Sequence, residues 1–218
     1  MLKPIAIVGA GGLGKEILVL LHQINEVTPV WDIKGFYDDN TELQGQLING
    51  FPCLGTINDL SCTTSELYVT VALGSPHIKA QLVNRLQNPK LHFPVLVHPT
   101  AALKPYQHIS IAEGTVVLQG AVLTTNIKTG KHVLIYLNCT VGHDAVIGNF
   151  SSLMPGTNLG GNTILEDQVF MGANATVLQG ITIGTGAIVG AGSVVTKNLP
   201  NRCTAVGVPA KIIKHDQL

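Results

Sequence analysis

An aliphatic residue recurs at every sixth position from Ile111 to Val195, and only Thr129 interrupts the series. The run reads Ile111, Val117, Leu123, Thr129, Ile135, Val141, Ile147, Leu153, Leu159, Leu165, Met171, Val177, Ile183, Val189 and Val195. Six is too short a period for a helical repeat and too long for the two-residue alternation of a strand. It is the period of a parallel β-helix, in which each hexad supplies a short strand and a corner and three hexads close one coil. The series therefore makes about five stacked coils. Glycine follows the aliphatic position at Gly130, Gly142, Gly148, Gly160, Gly172, Gly184 and Gly190. These glycines are expected to take the positive φ of tight corners.

The solenoid occupies just over half of the 218 residues, so a second unit is expected before it. Residues 4–98 alternate strand and helix signals. Pro4–Val8 is a short apolar run, and a helix follows with Ile17, Leu20, Leu21 and Ile24 on one face. Further strands are expected at Ile33–Tyr37, Leu67–Leu73 and Phe93–Val97, with a second helix carrying Ile78, Leu82, Val83 and Leu86. The pattern is that of a small, Rossmann-like, doubly wound α/β domain.

Between the first strand and helix stands Gly9-Ala10-Gly11-Gly12-Leu13-Gly14, a G-x-G-x-x-G loop. Glycines let backbone approach an anion, and the helix N-terminus offers free N–H groups and a partial positive charge. Gly14-Lys15 also approaches a P-loop, but Glu16 stands where a magnesium-binding hydroxyl is needed. Asp38 and Asp39, ending the second strand, are candidates to receive a ribose hydroxyl or a base. The domain is about half the size of a full dinucleotide fold, so one nucleotide-sized ligand is favoured over NAD. The alternative is that the glycines only form a tight β-to-α turn.

Composition narrows the partners. Thirteen basic residues balance thirteen acidic ones without a basic run, which removes the footprint of a nucleic-acid binder. Cys53, Cys62, Cys139 and Cys203 lack C-x-x-C spacing, so neither a disulfide framework nor a metal site is expected. No window has the length of a signal core or membrane span, which makes a cytoplasmic protein of small-molecule substrates the expectation.

On the solenoid, the second residue after each aliphatic position falls at a corner, and corners eighteen residues apart stack. One column is Gln107, Thr125, His143, Gly161, Gln179 and Lys197, a second is Leu137, Pro155, Ala173 and Ala191, and a third is Lys131, Asn149, Asp167 and Thr185. His143 projects outward, with Gly161 leaving room in the next coil. A histidine titrating near neutrality can take a proton from an attacking amine or hydroxyl, and Asp144 would fix its tautomer. Asp144 reaches the ring only if the backbone turns there, because successive strand residues face opposite ways. His22, His92 and His132 read as solvated surface residues.

A Gly-rich α/β domain joined to hexapeptide coils with a His-Asp pair resembles the bacterial sugar acetyltransferases. The nearest kinds are the N-acetyltransferases of nucleotide-linked 4-amino-4,6-dideoxy sugars, of the PglD type, and the related sialic acid O-acetyltransferases. The resemblance rests on Gly9–Gly14, Phe36-Tyr37-Asp38-Asp39, Ala72-Leu73-Gly74, Val97-His98-Pro99, His143-Asp144 and Val206-Gly207-Val208-Pro209-Ala210-Lys211. It implies a left-handed β-helix and two domains with a tail: residues 1–98 for the nucleotide sugar, 99–208 for acyl transfer and 209–218 as a tail near acetyl-CoA. It further implies a homotrimer with acetyl-CoA between neighbouring prisms.

By the same resemblance His143 is the base, Asp144 its partner and the Gly161 N–H an oxyanion donor. Acetyl-CoA would contact Gly161, Ala173, Ala191, Pro209 and Lys211. The sugar nucleotide would lie against Gly9, Gly11, Gly12, Leu13, Gly14, Asp38, Asp39, Gly74 and Tyr136. Three positions depart from the family pattern: Leu13 and Tyr136 replace a common His and Asn, and Ser152 replaces a second His. The expected reaction is direct acetyl transfer to a sugar amine. O-acetylation, a non-catalytic trimeric sugar-nucleotide binder and a NAD-linked enzyme are the alternatives, and the sequence leaves UDP, dTDP and GDP open.

Overall fold

The computed structural model describes residues 2–101 and 103–215. Contacts divide the chain into two units, 1–74 with 78–94, and 75–77 with 95–218.

In the first unit β1 (Lys3–Val8) is central, with Ile5, Ala6 and Ile7 fully buried. Helix α1 (Gly12–Val27) buries Ile17, Leu18, Leu20 and Leu21, a stripe that follows its apolar spacing. Strands β2 (Trp31–Tyr37), β3 (Leu47–Ile48) and β4 (Phe51–Gly55), helix α2 (Ile57–Ser61), β5 (Leu67–Val71), helix α3 (Pro76–Arg85) and β6 (Leu91–His92) follow. The sheet order is β3-β4-β2-β1-β5-β6, parallel except for the antiparallel β3–β4 pair. The chain thus leaves β1 first to one side and then to the other, which opens a crevice at the C-terminal end of β1.

The strand expected at Phe93–Val97 is divided. Leu91–His92 closes the α/β sheet beside β5, whereas β7 (Leu96–Val97) pairs with Val116–Val117 in the solenoid. Both pairs are two residues long, and two residues carry no period by which sequence alone can assign a sheet.

The second unit is a three-faced parallel β-helix. Each hexad gives a two-residue strand whose second residue points inward, and partners lie eighteen residues apart, as in Val122↔Thr140 and Lys128↔Val146. Two faces hold five strands each; the third adds β7 at one end and the hairpin Cys203–Val206 with Lys211–His215 at the other. The periodic residues form one continuous core in which Val141, Ile147, Leu153, Leu165 and Met171 are fully buried. Thr129 is tolerated inside because its hydroxyl accepts the Ala112 N–H at 3.3 Å.

The corner glycines do a different job from the one expected. Positive φ falls two residues later, at the third position after the aliphatic residue, on every hexad from Gly114 to Gly192. Gly130, Gly142, Gly148, Gly160, Gly172, Gly184 and Gly190 lack positive φ and are small because the next coil passes against them. A Cβ on Gly142 would stand 2.6 Å from the Gly161 nitrogen, and one on Gly172 would stand 2.5 Å from the Ala191 nitrogen. Glycine here answers to close backbone approach.

His132 is also not a surface residue. It occupies one of the positive-φ corners, is 4% exposed and stacks on Phe150 with ring centroids 5.3 Å apart. Stacking between equivalent corners of successive coils buries a ring that would otherwise be solvated. His22 and His92 are exposed. No helix among the described residues is long and apolar enough to cross a membrane.

Candidate active site

The corner that carries His143 turns because Asp144 adopts a left-handed conformation at φ 59°. Asp is among the few side chains that accept it readily. The turn brings Asp144 back onto the preceding ring, so that Nδ1 of His143 lies 2.8 Å from Oδ2 of Asp144. The condition for their contact is therefore met. Asp144 Oδ1 accepts Nδ2 of Asn126 at 3.1 Å, and the Asp144 N–H donates to Thr125 O at 3.1 Å. The His143 ring and then the Asn126 amide hold the Asp144 carboxyl below the usual carboxylate range. With Nδ1–H donating to a carboxylate, Nε2 is left as the acceptor and points away from Asp144.

Nε2 comes to rest against Gly161 in the following coil. A Cβ at Gly161 would stand 2.5 Å from Cε1 of the imidazole, so the ring occupies the space that the missing side chain vacates. Corner amides behave alike around the prism. From Asn126 to Gly192 the N–H of each positive-φ corner residue donates to the corner carbonyl of the preceding coil, as in Asn162 to His143 and Gly192 to Ala173. The N–H of the corner residue itself stays outside this ladder.

In the third column side chains satisfy that N–H at three of the four corners: Lys131 donates to Asn149 Oδ1, Asn149 to Asp167 Oδ1, and Thr185 to Glu166 Oε2. At Gly161, Ala173 and Ala191 the N–H has no acceptor among the described residues. The corner N–H groups of Thr125, Leu137, His143 and Gln179 share this state, and an amide so placed can meet a carbonyl of an extended ligand or a developing oxyanion. Pro209 and Lys211 lie in the terminal hairpin, where Ala210 N–H donates to Val194 O at 2.8 Å and both flanking residues are exposed. Tyr136 is half-buried against the solenoid core, and Ser152, where the family pattern has a second His, is fully buried.

The first unit has its own cleft, of about 610 Å³, at the end of β1. Of the expected residues, Gly9, Asp38 and Asp39 line it. Gly11, Gly12, Leu13, Gly14 and Gly74 do not. Gly14 has a packing reason to be glycine, because a Cβ there would overlap the Gly9 carbonyl and lie 3.5 Å from Phe36. Gly11 and Gly12 face open space at the start of α1, which has no side-chain cap and no acidic residue in its first turn. That end is left for an anion.

Asp38 is already engaged, its carboxylate accepting the N–H of Ala10 at 2.8 Å and of Asn40 at 2.9 Å. It shapes the glycine loop. Asp39 accepts the Ile57 N–H at 3.0 Å and faces Arg85 at 3.5 Å. Gln81, Asn84 and Arg85 of α3 line the cleft too, and the sequence reading missed them. The signal available was their common face one turn apart on the helix that also carries Ile78 and Leu82.

Comparison with known proteins supplies the chemistry these sites resemble. Residues 4–86 match the PglD N-terminal domain, and residues 162–197 match the hexapeptide repeat of succinyl-transferase. A GDP-perosamine N-acetyltransferase of Escherichia coli O157:H7 is 29% identical over 213 residues, 95% of each chain. The acetyltransferase domain of PglB from Neisseria gonorrhoeae FA1090 superposes with a TM-score of 0.87 at 32% identity, over 97% of this chain and all of that one. The same domain has been solved with acetyl coenzyme A. PerB from Caulobacter crescentus, solved with CoA and GDP-perosamine, gives a TM-score of 0.85 at 27% identity, covering 98% and 99% of the two chains.

Proposed function

The chain belongs to the left-handed hexapeptide-repeat sugar acetyltransferases with a PglD-type N-terminal domain, and from that premise we propose that it moves the acetyl group of acetyl-CoA onto the 4-amino group of a nucleotide-linked amino-dideoxy sugar. The product would serve surface polysaccharide or glycoprotein glycan synthesis. The observation that carries the reading is the His143 ring, tied through Nδ1 to Asp144 and lying in the space left by the missing Gly161 side chain, with the Gly161 N–H lacking an acceptor among the described residues.

The amine attacks the thioester carbonyl, His143 Nε2 takes its proton, and the Gly161 N–H steadies the oxygen that gains charge. Attack forms the C–N bond, collapse of the tetrahedral intermediate breaks the C–S bond, and the proton held by His143 passes to the departing thiolate. No cysteine is needed as a nucleophile. The unpaired amides of Ala173 and Ala191 suit the two amide carbonyls of a pantetheine arm, with Pro209 and Lys211 further along it. The cleft at Gly9, Asp39 and Arg85 suits the nucleotide, and the open N-terminus of α1 suits its diphosphate.

A homotrimer and a cytoplasmic setting belong to the same proposal. Val146 and Ile164 are apolar residues about 40% exposed on one prism face, as expected where prisms pack together. The four unpaired cysteines agree with a reducing compartment.

The test is thiol release from acetyl-CoA against GDP-, UDP- and dTDP-linked 4-amino sugars and free sialic acid. Release with an amino sugar, reduced roughly 10²–10⁴-fold in His143→Ala, is the expected result. Release with sialic acid alone would move the enzyme to O-acetylation, and an undiminished rate in His143→Ala would remove His143 as the base.

A further inference from the structure

Asp144 is nearly half exposed, and an exposed carboxylate ordinarily rotates freely in water. Here it does not stand alone. Asn126, eighteen residues earlier and so one coil beneath, has the same left-handed conformation, φ 56° against 59°, which aims its side chain along the same corner. Its Nδ2 donates to Oδ1 of Asp144, the oxygen that His143 does not use. Asn126 is itself fixed from below, its N–H donating to Gln107 O at 2.8 Å. Gln107 in turn spends its amide on Leu123 O and Thr124 O at 2.9 and 3.1 Å. The catalytic corner thus rests on a column of hydrogen bonds two coils deep.

We infer that Asn126 is a positioning residue for the reaction, acting through Asp144 to set the orientation of His143. The inference rests on the acetyltransferase reading above. A carboxylate anchored at both oxygens keeps one rotamer, so the imidazole it holds keeps one ring plane and Nε2 stays over Gly161. Asp144 shares a cleft of about 420 Å³ with His108, Asn126, Lys128 and Val146, so besides His143, which it contacts, His108 and Lys128 are the ionisable groups lining that cleft. Both stay in place in the variants below.

Two substitutions separate orientation from electrostatics. Asn126→Gly keeps a residue suited to positive φ and removes the amide. Asn126→Asp nearly preserves shape and puts a second carboxylate against Asp144. In Asn126→Asp the acid limb of the kcat/KM profile is expected to move to higher pH by roughly one unit, since added negative charge favours the imidazolium. Asn126→Gly is expected to lower kcat by roughly 10- to 100-fold through loss of orientation, with KM for acetyl-CoA within about twofold of the parent.

The second readout needs no substrate. The midpoint of the His143 ring resonances in an NMR titration should rise in Asn126→Asp relative to the parent. Coincident acid limbs and coincident NMR midpoints, with kcat losses that only track lower thermal stability, would overturn the inference. Failure of the parent to acetylate any amino sugar, with the NMR midpoint still moving, would count against the acetyltransferase reading and leave the coupling of Asn126 to His143 standing.

Discussion

On the proposed mechanism, the missing side chain of Gly161 separates catalysis from folding. The atoms that an added Cβ meets belong to the exposed His143 imidazole, not to backbone, and φ at Gly161 is not in the positive range. The ring can therefore swing away cheaply. Gly161→Ala should leave thermal stability within about 0.5 kcal/mol, the range of a surface change, while lowering kcat by roughly 100-fold as Nε2 leaves its place. Calorimetry and thiol release on one preparation check both halves, and a parallel loss of fold and rate would refute the argument. Lys79 on α3 offers the converse, a group that bears on stability and not on the site. It is 2% exposed, and burial pushes its amine down to about 7. A folded-state value below the unfolded one means that the folded chain binds fewer protons between that pH and about 10.4. Stability should rise with pH across this window, by at most about 1.4 kcal/mol per unit from this group. In Lys79→Met that slope should flatten in denaturant melts from pH 7 to 10, and an unchanged slope would discard the assignment.

At the scale of the element, the two glycine positions of the hexad carry two different constraints. Gly148 faces backbone, with an added Cβ 2.6 Å from the Asp167 nitrogen, whereas Gly180 faces open space at φ 72°. Gly148→Ala must push two coils apart and should cost about 1–3 kcal/mol, as overpacking does. Gly180→Ala meets only left-handed strain, about 1–2 kcal/mol, and Gly180→Asn should recover much of that because Asn tolerates the region. Urea midpoints of the three variants test this, and recovery by Asn at position 148 as well would contradict it. The same pair shows what the sequence made legible. The strands were readable because the inward residue repeats fifteen times. The conformation of the corner was not, because Gly occurs at both positions and the left-handed one also holds His132, Phe150 and Gln168. His132 and Phe150 stack on each other at equivalent corners, a relation across eighteen residues that no local window contains. The short elements β3, β4 and α2 escaped for a simpler reason, since two to five residues show no period.

For the whole molecule, the proposed reaction assigns each unit a different ligand surface, and the two were legible to different degrees. His143 could be found because the coil period dictates which side chains stand at a corner and which stack. The cleft of the first unit was only half visible. Gly9 announced it, but Gln81, Asn84 and Arg85 look like the polar face of any helix until the sheet order places α3 beside the end of β1. The two surfaces also predict distinct footprints in hydrogen exchange. The nucleoside diphosphate part of the acceptor should slow exchange at the amides of Gly11–Gly14 and around Asp39, since those groups face the cleft or the open start of α1. CoA should instead protect the amides at Gly161, Ala173 and Ala191, which lie outside the β-helix ladder and exchange freely until a ligand carbonyl accepts from them. The amides of Lys131, Asn149 and Thr185, capped by side chains at the equivalent corner, should be indifferent to CoA. Protection at the third column in place of the second would move the donor site to another edge of the prism. Protection by CoA confined to residues 9–14 would assign the donor, not the acceptor, to the first unit.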